Sequence, residues 1–212
     1  MVVETRSVPP FHKNGYVVAC EQTRQAVLID PGDEIDLLLD AVRQGRFDVQ
    51  SILLTHAHVD HVTGVGRAKK AVPVPVYLHR DDRFLYEAAP QQAALFGLHC
   101  DPLPAVDHYY DTSRALSFGG YEVAVHHTPG HCPGGVCLAI AGHGMPKLDL
   151  FVGDTLFAGS IGRTDLPGGD YEMLIRSITQ VLFSFGDDAK VYSGHGPQTT
   201  IGQERRTNPF LV

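Results

Sequence analysis

At 212 residues, with a formal charge of −7 and a pI near 5.9, the chain is long enough for one domain with a substantial core. It carries no basic footprint, which excludes phosphate-tracking nucleic-acid binding as the main activity. No apolar run reaches the length of a membrane span, Met1–Arg6 lacks the charged-then-apolar pattern of a signal peptide, and four irregularly spaced cysteines (Cys20, Cys100, Cys132, Cys137) form no disulfide framework. These totals predict a single cytoplasmic domain over residues 1–212, with no membrane partner.

In chain order, Val2–Val8, Gly15–Cys20 and Ala26–Asp30 are β-branched and apolar runs separated by polar turns, which predicts an opening antiparallel meander ended by Pro31-Gly32-Asp33. Ile35, Leu38, Leu39 and Val42 recur at helical spacing behind Asp33 as the cap, and Gly45 closes the segment. Ser51–Leu54 is a short apolar run of the kind that makes a buried strand. Val65–Val72 is the next predicted helix, stopped by Pro73 and Pro75, and Val76–Leu78 the next strand. From Asp81 to Asp111 the apolar residues lack clean periodicity, and the expectation is a helix followed by a long loop. Tyr121–His126 alternates as a half-buried strand does; Val136–Ile140 and Leu148–Val152 are two more strands. Leu174, Ile175, Ile178, Val181 and Leu182 predict a helix over Tyr171–Phe185, and Lys190–Tyr192 a last strand. The chain thus divides into two similar runs of strands, ligand-type residues and helix, which suggests two sheets packed face to face with helices outside and ligands along one edge.

The chemistry gathers at the ends of these strands. Thr55-His56-Ala57-His58-Val59-Asp60-His61 places three imidazoles and a carboxylate within six residues directly after Ser51–Leu54. In an extended chain His56, His58 and Asp60 share a face, and a turn into helix at Asp60 is needed for His61 to join them. His131, Asp154 and His195 each fall just past a later strand. Imidazole and carboxylate suit zinc, iron and manganese alike, and the absence of thiolate leaves room at the metal for water and substrate. Two cations roughly 3.5–4 Å apart can share a water, lower its pKa toward neutrality and polarise an acyl oxygen.

The ligand order His56-x-His58-x-Asp60-His61, then His131, Asp154 and His195, resembles the metallo-β-lactamase superfamily along the whole chain. Within it, Gly153-Asp154-Thr155-Leu156-Phe157-Ala158-Gly159-Ser160-Ile161-Gly162-Arg163 and the tail from Glu204 to Phe210 resemble the hydroxyacylglutathione hydrolases, or glyoxalase II, in their single-domain bacterial branch. The resemblance implies a four-layer α/β/β/α sandwich of the metallo-β-lactamase type. It implies two divalent metal ions, zinc first and iron or manganese as alternatives, with His56, His58 and His131 on one, Asp60, His61 and His195 on the other, and Asp154 bridging. The implied activity is hydrolysis of thioesters of the S-lactoylglutathione type by a metal-bound hydroxide, with Asp60 orienting the attacking water.

By the same resemblance Arg163 stands where the longer enzymes have a basic residue that holds glutathione, whereas Asp165 and Pro197 stand where those enzymes usually have glutathione-contacting tyrosines. Gly162-Arg163-Thr164-Asp165 also resembles the persulfide dioxygenases, which use one iron held by the counterparts of His56, His131 and Asp154; Phe210 after Asn208-Pro209 leans toward the hydrolase. A lactonase, a β-lactamase or a nuclease is less well supported. Cys132 is read as an inert buried thiol and His126 and His127 as structural. Arg205, Arg206 and Asn208 are read as a tail that packs on the core. His12, His79, His99, His108 and His143 are given no role, and the oligomeric state is left open.

Overall fold

The computed structural model describes residues 1–142, 144 and 148–212; His143 lies outside the described residues. The chain falls into two compact units, Met1–Tyr110 with Ser117–Gly120, and Asp111–Leu116 with Tyr121–Val212.

In the first unit the expected meander is present: β1 (Val2–Arg6), β2 (Gly15–Ala19) and β3 (Gln25–Ile29) pair antiparallel, with Val3 opposite Val18 and Val18 opposite Val27. β2 is buried along its whole length, so its run of apolar residues reflects cover on both faces rather than alternation. Helix α1 (Ile35–Gly45) buries Ile35, Leu38, Leu39 and Val42, the stripe that the spacing predicts. Its start differs from expectation, because Glu34 precedes the helix and the Asp33 carboxylate accepts from Thr63 Oγ1 instead of capping. Its end lies at Arg46, which takes the left-handed conformation and bonds back to Arg43 and Val42 carbonyls. β4 (Asp48–Leu53) then joins parallel to β3, followed by α2 (Val59–Val62), α3 (Val65–Ala71) and β5 (Val76–Leu78), parallel to β4.

The stretch without clean periodicity is a 3-10 turn (Arg80–Asp82), α4 (Arg83–Leu95), a loop and the short β6 (His108–Tyr109). Helix α4 hides its pattern for two reasons: it buries Leu85, Tyr86, Ala89 and Ala93, half of them alanines, and it carries Pro90 inside while Phe84, Leu95 and Phe96 face outward. The first sheet runs β1-β2-β3-β4-β5-β6.

β7 (Leu116–Phe118) straddles the division between the units. The second unit contains β8 (Tyr121–His127), β9 (Val136–Gly142), β10 (Leu148–Gly153), the hairpin β11 (Leu156–Phe157) and β12 (Ser160–Ile161), α5 (Tyr171–Arg176), β13 (Lys190–Ser193), β14 (Thr199–Thr200) and α6 (Ile201–Thr207). Its sheet strands follow the order β14-β13-β10-β9-β8, antiparallel except for β10 beside β13. The helix expected over Tyr171–Phe185 is three pieces: α5, a π turn (Ser177–Val181) and a 3-10 turn (Leu182–Phe185). Leu174, Ile178 and Leu182 recur every fourth residue, and the wide π turn keeps all three in the core with Leu150, Val191 and Ile201.

Candidate metal centre

Parallel pairing decides where the ligand-type side chains emerge, because two parallel neighbours end at the same edge of a sheet. In the first unit Ile29 lies opposite Leu53, so Asp30 and the segment from Leu54 onward leave the sheet side by side, and Asp30 N bonds to Leu53 O at 3.1 Å. In the second unit Gly153 lies opposite Ser193, so Asp154 and His195 also leave together, with Gly194 N donating to Gly153 O at 2.8 Å.

After β4 the chain bends at Thr55, is extended at His58 and turns into helix at Val59, one residue earlier than expected. The turn folds His61 back onto the first histidine: the His56 and His61 rings stand 4.0 Å apart and those of His56 and His58 4.9 Å, edge to face. All three imidazoles are buried, and Asp60 Oδ2 lies 3.7 Å from His61 Nε2. Two ligand atoms at about 2.1 Å from one cation and at the tetrahedral angle stand about 3.4 Å apart, so this spacing fits a shared ion better than a direct hydrogen bond.

Four residues that the sequence reading missed hold this segment. Asp30 accepts from Thr55 N (2.7 Å) and Thr55 Oγ1 (2.6 Å) and stands 3.0 Å from His61 Nδ1. With a carboxylate on Nδ1, that nitrogen carries the proton and Nε2 becomes the lone-pair nitrogen suited to a metal. Asp82, fully buried, accepts from Ala57 N at 3.0 Å and fixes the loop between His56 and His58. Lys13 and Glu34 lie beneath the Asp30–Gly32 turn. One signal for Asp30 was present in the sequence: like Asp154, it is a carboxylate immediately past an apolar strand.

In the second unit Asp154 Oδ2 lies 3.6 Å from His131 Nε2 and 3.5 Å from His195 Nε2, close to the tetrahedral spacing on both sides. One carboxylate oxygen at tetrahedral spacing from two imidazole nitrogens can share an ion with either of them, which is a requirement for a bridging ligand. His131 sits in the connection between β8 and β9, and its Nδ1 donates to Arg163 O at 2.7 Å. Since a carbonyl only accepts, Nδ1 bears the proton and Nε2 again bears the lone pair. The loop is tied down by Ser177 Oγ donating to Pro129 O (2.6 Å) and Asp170 N to Gly130 O (2.8 Å).

The Arg163 side chain is engaged with its neighbour: Nε and Nη2 reach the two Asp165 oxygens at 2.7 and 2.8 Å, with 62% and 69% of the two side chains exposed. The guanidinium holds the Asp165 carboxyl down to about 2. Cys132 is fully buried. His126 packs edge-on against Phe185, where burial lowers its pKa, and His127 Nε2 meets Pro133 O at 2.8 Å. In the tail, buried Asn208 donates to Ser160 O and to Glu204, while Arg205 and Arg206 pair with Asp187.

The fold and these ligand sets define a metal-dependent hydrolase class, and the chain belongs to the Metallo-beta-lactamase superfamily, whose family model matches residues 8–195. Among its relatives is the hydroxyacylglutathione hydrolase GloC of Haemophilus influenzae, 38% identical over 100% of this chain and 98% of its own. The crystal structure of the BLEG-1 B3 metallo-beta-lactamase superposes with a TM-score of 0.89 at 36% identity, covering 100% of both chains. TTHA1623 in a di-iron-bound form matches at 0.85 and 41% identity over 99% of this chain and 100% of its own. ETHE1 from Myxococcus xanthus matches at 0.80 and 26% identity over 99% of this chain and 84% of its own. The metallo-β-lactamase fold expected from the sequence is therefore shown.

Proposed function

We propose that residues 1–212 act as one binuclear metallohydrolase domain that cleaves thioesters of the S-lactoylglutathione type. In this reading His56, His58 and His131 hold one divalent ion, Asp60, His61 and His195 the other, and Asp154 bridges them. The observation that carries it is the setting of Asp154 Oδ2 at 3.5–3.6 Å from both His131 Nε2 and His195 Nε2. The relative named hydroxyacylglutathione hydrolase, similar over its full length, supports the substrate class. Zinc is the proposed metal, with iron the first alternative given the di-iron form of TTHA1623. When bound, such a pair of ions supplies an acidified water and a polarised acyl oxygen.

The chain's own residues have separable tasks in this proposal. Asp30 and the Arg163 carbonyl fix the ring orientations of His61 and His131. Asp60 orients the attacking water toward the thioester carbon. The Arg163 side chain holds the anionic thiol carrier, and the departing thiolate is stable enough to leave without a strong acid nearby. A cytoplasmic setting, where glutathione is abundant, belongs to the same proposal; no helix among the described residues is long and apolar enough to cross a membrane.

The alternative reading, an iron-dependent persulfide dioxygenase acting on glutathione persulfide, draws on Gly162-Arg163-Thr164-Asp165 and on the ETHE1 neighbour. Metal analysis of protein purified without added metal, run beside S-lactoylglutathione hydrolysis, oxygen uptake with glutathione persulfide and turnover of a β-lactam, separates the readings. Two ions per chain with thioester hydrolysis supports the proposal. One iron with oxygen uptake, or β-lactam turnover exceeding thioester turnover, overturns it.

A further inference from the structure

We infer that Lys13, paired with Glu34, is a positioning residue for the ligand segment Asp60–His61; this rests on the reading of His61 as a metal ligand. Lys13 and Glu34 are each only 2% exposed, and Lys13 Nζ stands 2.7 Å from Glu34 Oε1. The same ammonium donates to the main-chain carbonyl of Asp30, and the same Glu34 oxygen accepts from Gly32 N at 2.8 Å. One buried ion pair therefore grips both ends of the Asp30-Pro31-Gly32 turn.

That turn is the surface on which the ligand helix rests. Asp30 Oδ2 lies on His61 Nδ1, Gly64 N donates to Pro31 O at 3.1 Å, and Thr63 Oγ1 donates to Asp33 Oδ1 at 2.6 Å. Gly32 packs so closely that a Cβ would strike the Asp60 carbonyl and approach Lys13 Cε. Asp30 is also held in the left-handed region, with φ 49, a conformation that a non-glycine residue keeps only when its surroundings impose it. Its amide is bonded to Leu53, its carboxylate to Thr55 and its carbonyl to Lys13. Lys13 reaches this turn from 17 residues earlier in the chain, and it is buried with a counter-charge rather than left to solvent. Ion pairs in such a position are a poor source of stability, since neutral packing does as well, and a role in fixing one geometry accounts for this one better.

Two measurements test this. In metal-free protein, nitrogen-15 spectra of His61, assigned with His61→Gln, report which ring nitrogen carries the proton. Zinc titration against a chromophoric chelator reports the affinity of each ion. Wild type should show His61 protonated on Nδ1. Lys13→Met, and the neutral pair Lys13→Met/Glu34→Gln, which keeps an acceptor for Gly32 N, should show mixed tautomers. Both variants should lose one zinc affinity by about ten- to hundred-fold while keeping the other. Lys13→Arg, which retains charge and donor, should recover most of both readouts and serves as the folded comparison if Lys13→Met fails to fold. Wild-type tautomer and affinities in the neutral double variant, or equal loss of both ions with the fold, would show a purely structural pair and overturn the inference. A shifted tautomer together with a single zinc in wild type leaves the positioning role standing and sinks the binuclear reading instead.

Discussion

The guanidinium of Arg163 meets both oxygens of Asp165, so any carboxylate on a substrate must compete with a carboxylate two residues away. Both side chains face solvent, where such pairs are weak and exchangeable. Arg163→Ala should therefore raise KM for S-lactoylglutathione and lower kcat/KM about ten- to hundred-fold with kcat nearly unchanged, while a small neutral thioester is unaffected. Asp165→Asn should act in the opposite direction, lowering KM for the anionic substrate a few-fold. Equal effects on the two substrates would remove Arg163 from carrier binding. Because the folded Asp165 pKa is depressed to about 2, its pairing is complete above roughly pH 4 and is lost only as pH falls through the folded value. KM should then show no inflection from Asp165 near neutrality. At this scale the candidate ligands stand out in the sequence because four ligand-type side chains are packed into six residues. For Asp30 only its place just past an apolar strand was a signal, since its partners Thr55 and His61 lie 25 and 31 positions away.

Among the elements, α5 and its π turn form the anvil for the His131 loop. Gly130 has φ 133, and a Cβ there would strike the Leu174 backbone, so the loop can lie on α5 only with glycine at that place. Gly130→Ala should cost at least about 1–3 kcal/mol and shift His131, read as a lower Tm together with reduced metal content. Leu174→Ala removes a fully buried side chain and should cost about 2–5 kcal/mol without the same specific loss of metal. His126, at the end of β8 against Phe185, gives a pH signature. Its folded pKa lies below the unfolded value, so its contribution is present above the unfolded pKa of about 6.5 and is lost as pH falls toward the folded one. Wild type should lose Tm across that interval, and His126→Phe should lose less. Strands were the legible elements, because buried β-branched runs announce themselves. Helix α4 was expected without bounds between Asp81 and Asp111, because Pro90 stands inside it and alanines on its buried face, whereas α6, a two-turn helix held by Thr200 as its cap and by Glu204 beneath, was not expected.

For the whole molecule, the ligand order along the chain was readable because each group follows a strand, and parallel pairing turns that order into adjacency within each unit: β3 beside β4, β10 beside β13. The two-ion stoichiometry that the family resemblance implies is testable through the position of Asp154. If its Oδ2, set between His131 and His195, serves two ions, Asp154→Ala removes a ligand from each at once, whereas His61→Ala removes a ligand from one. Ligands that bind only the folded state stabilise it by mass action, so metal removal is also a stability experiment. Chelator treatment of wild type should lower Tm in two separable steps. His61→Ala should retain one step and about one ion per chain by elemental analysis. Asp154→Ala should lose both steps and retain neither ion under the same dialysis. An Asp154→Ala protein that keeps one tightly held ion would mean that the carboxylate serves a single metal, and the mononuclear iron reading would then take precedence over the binuclear hydrolase.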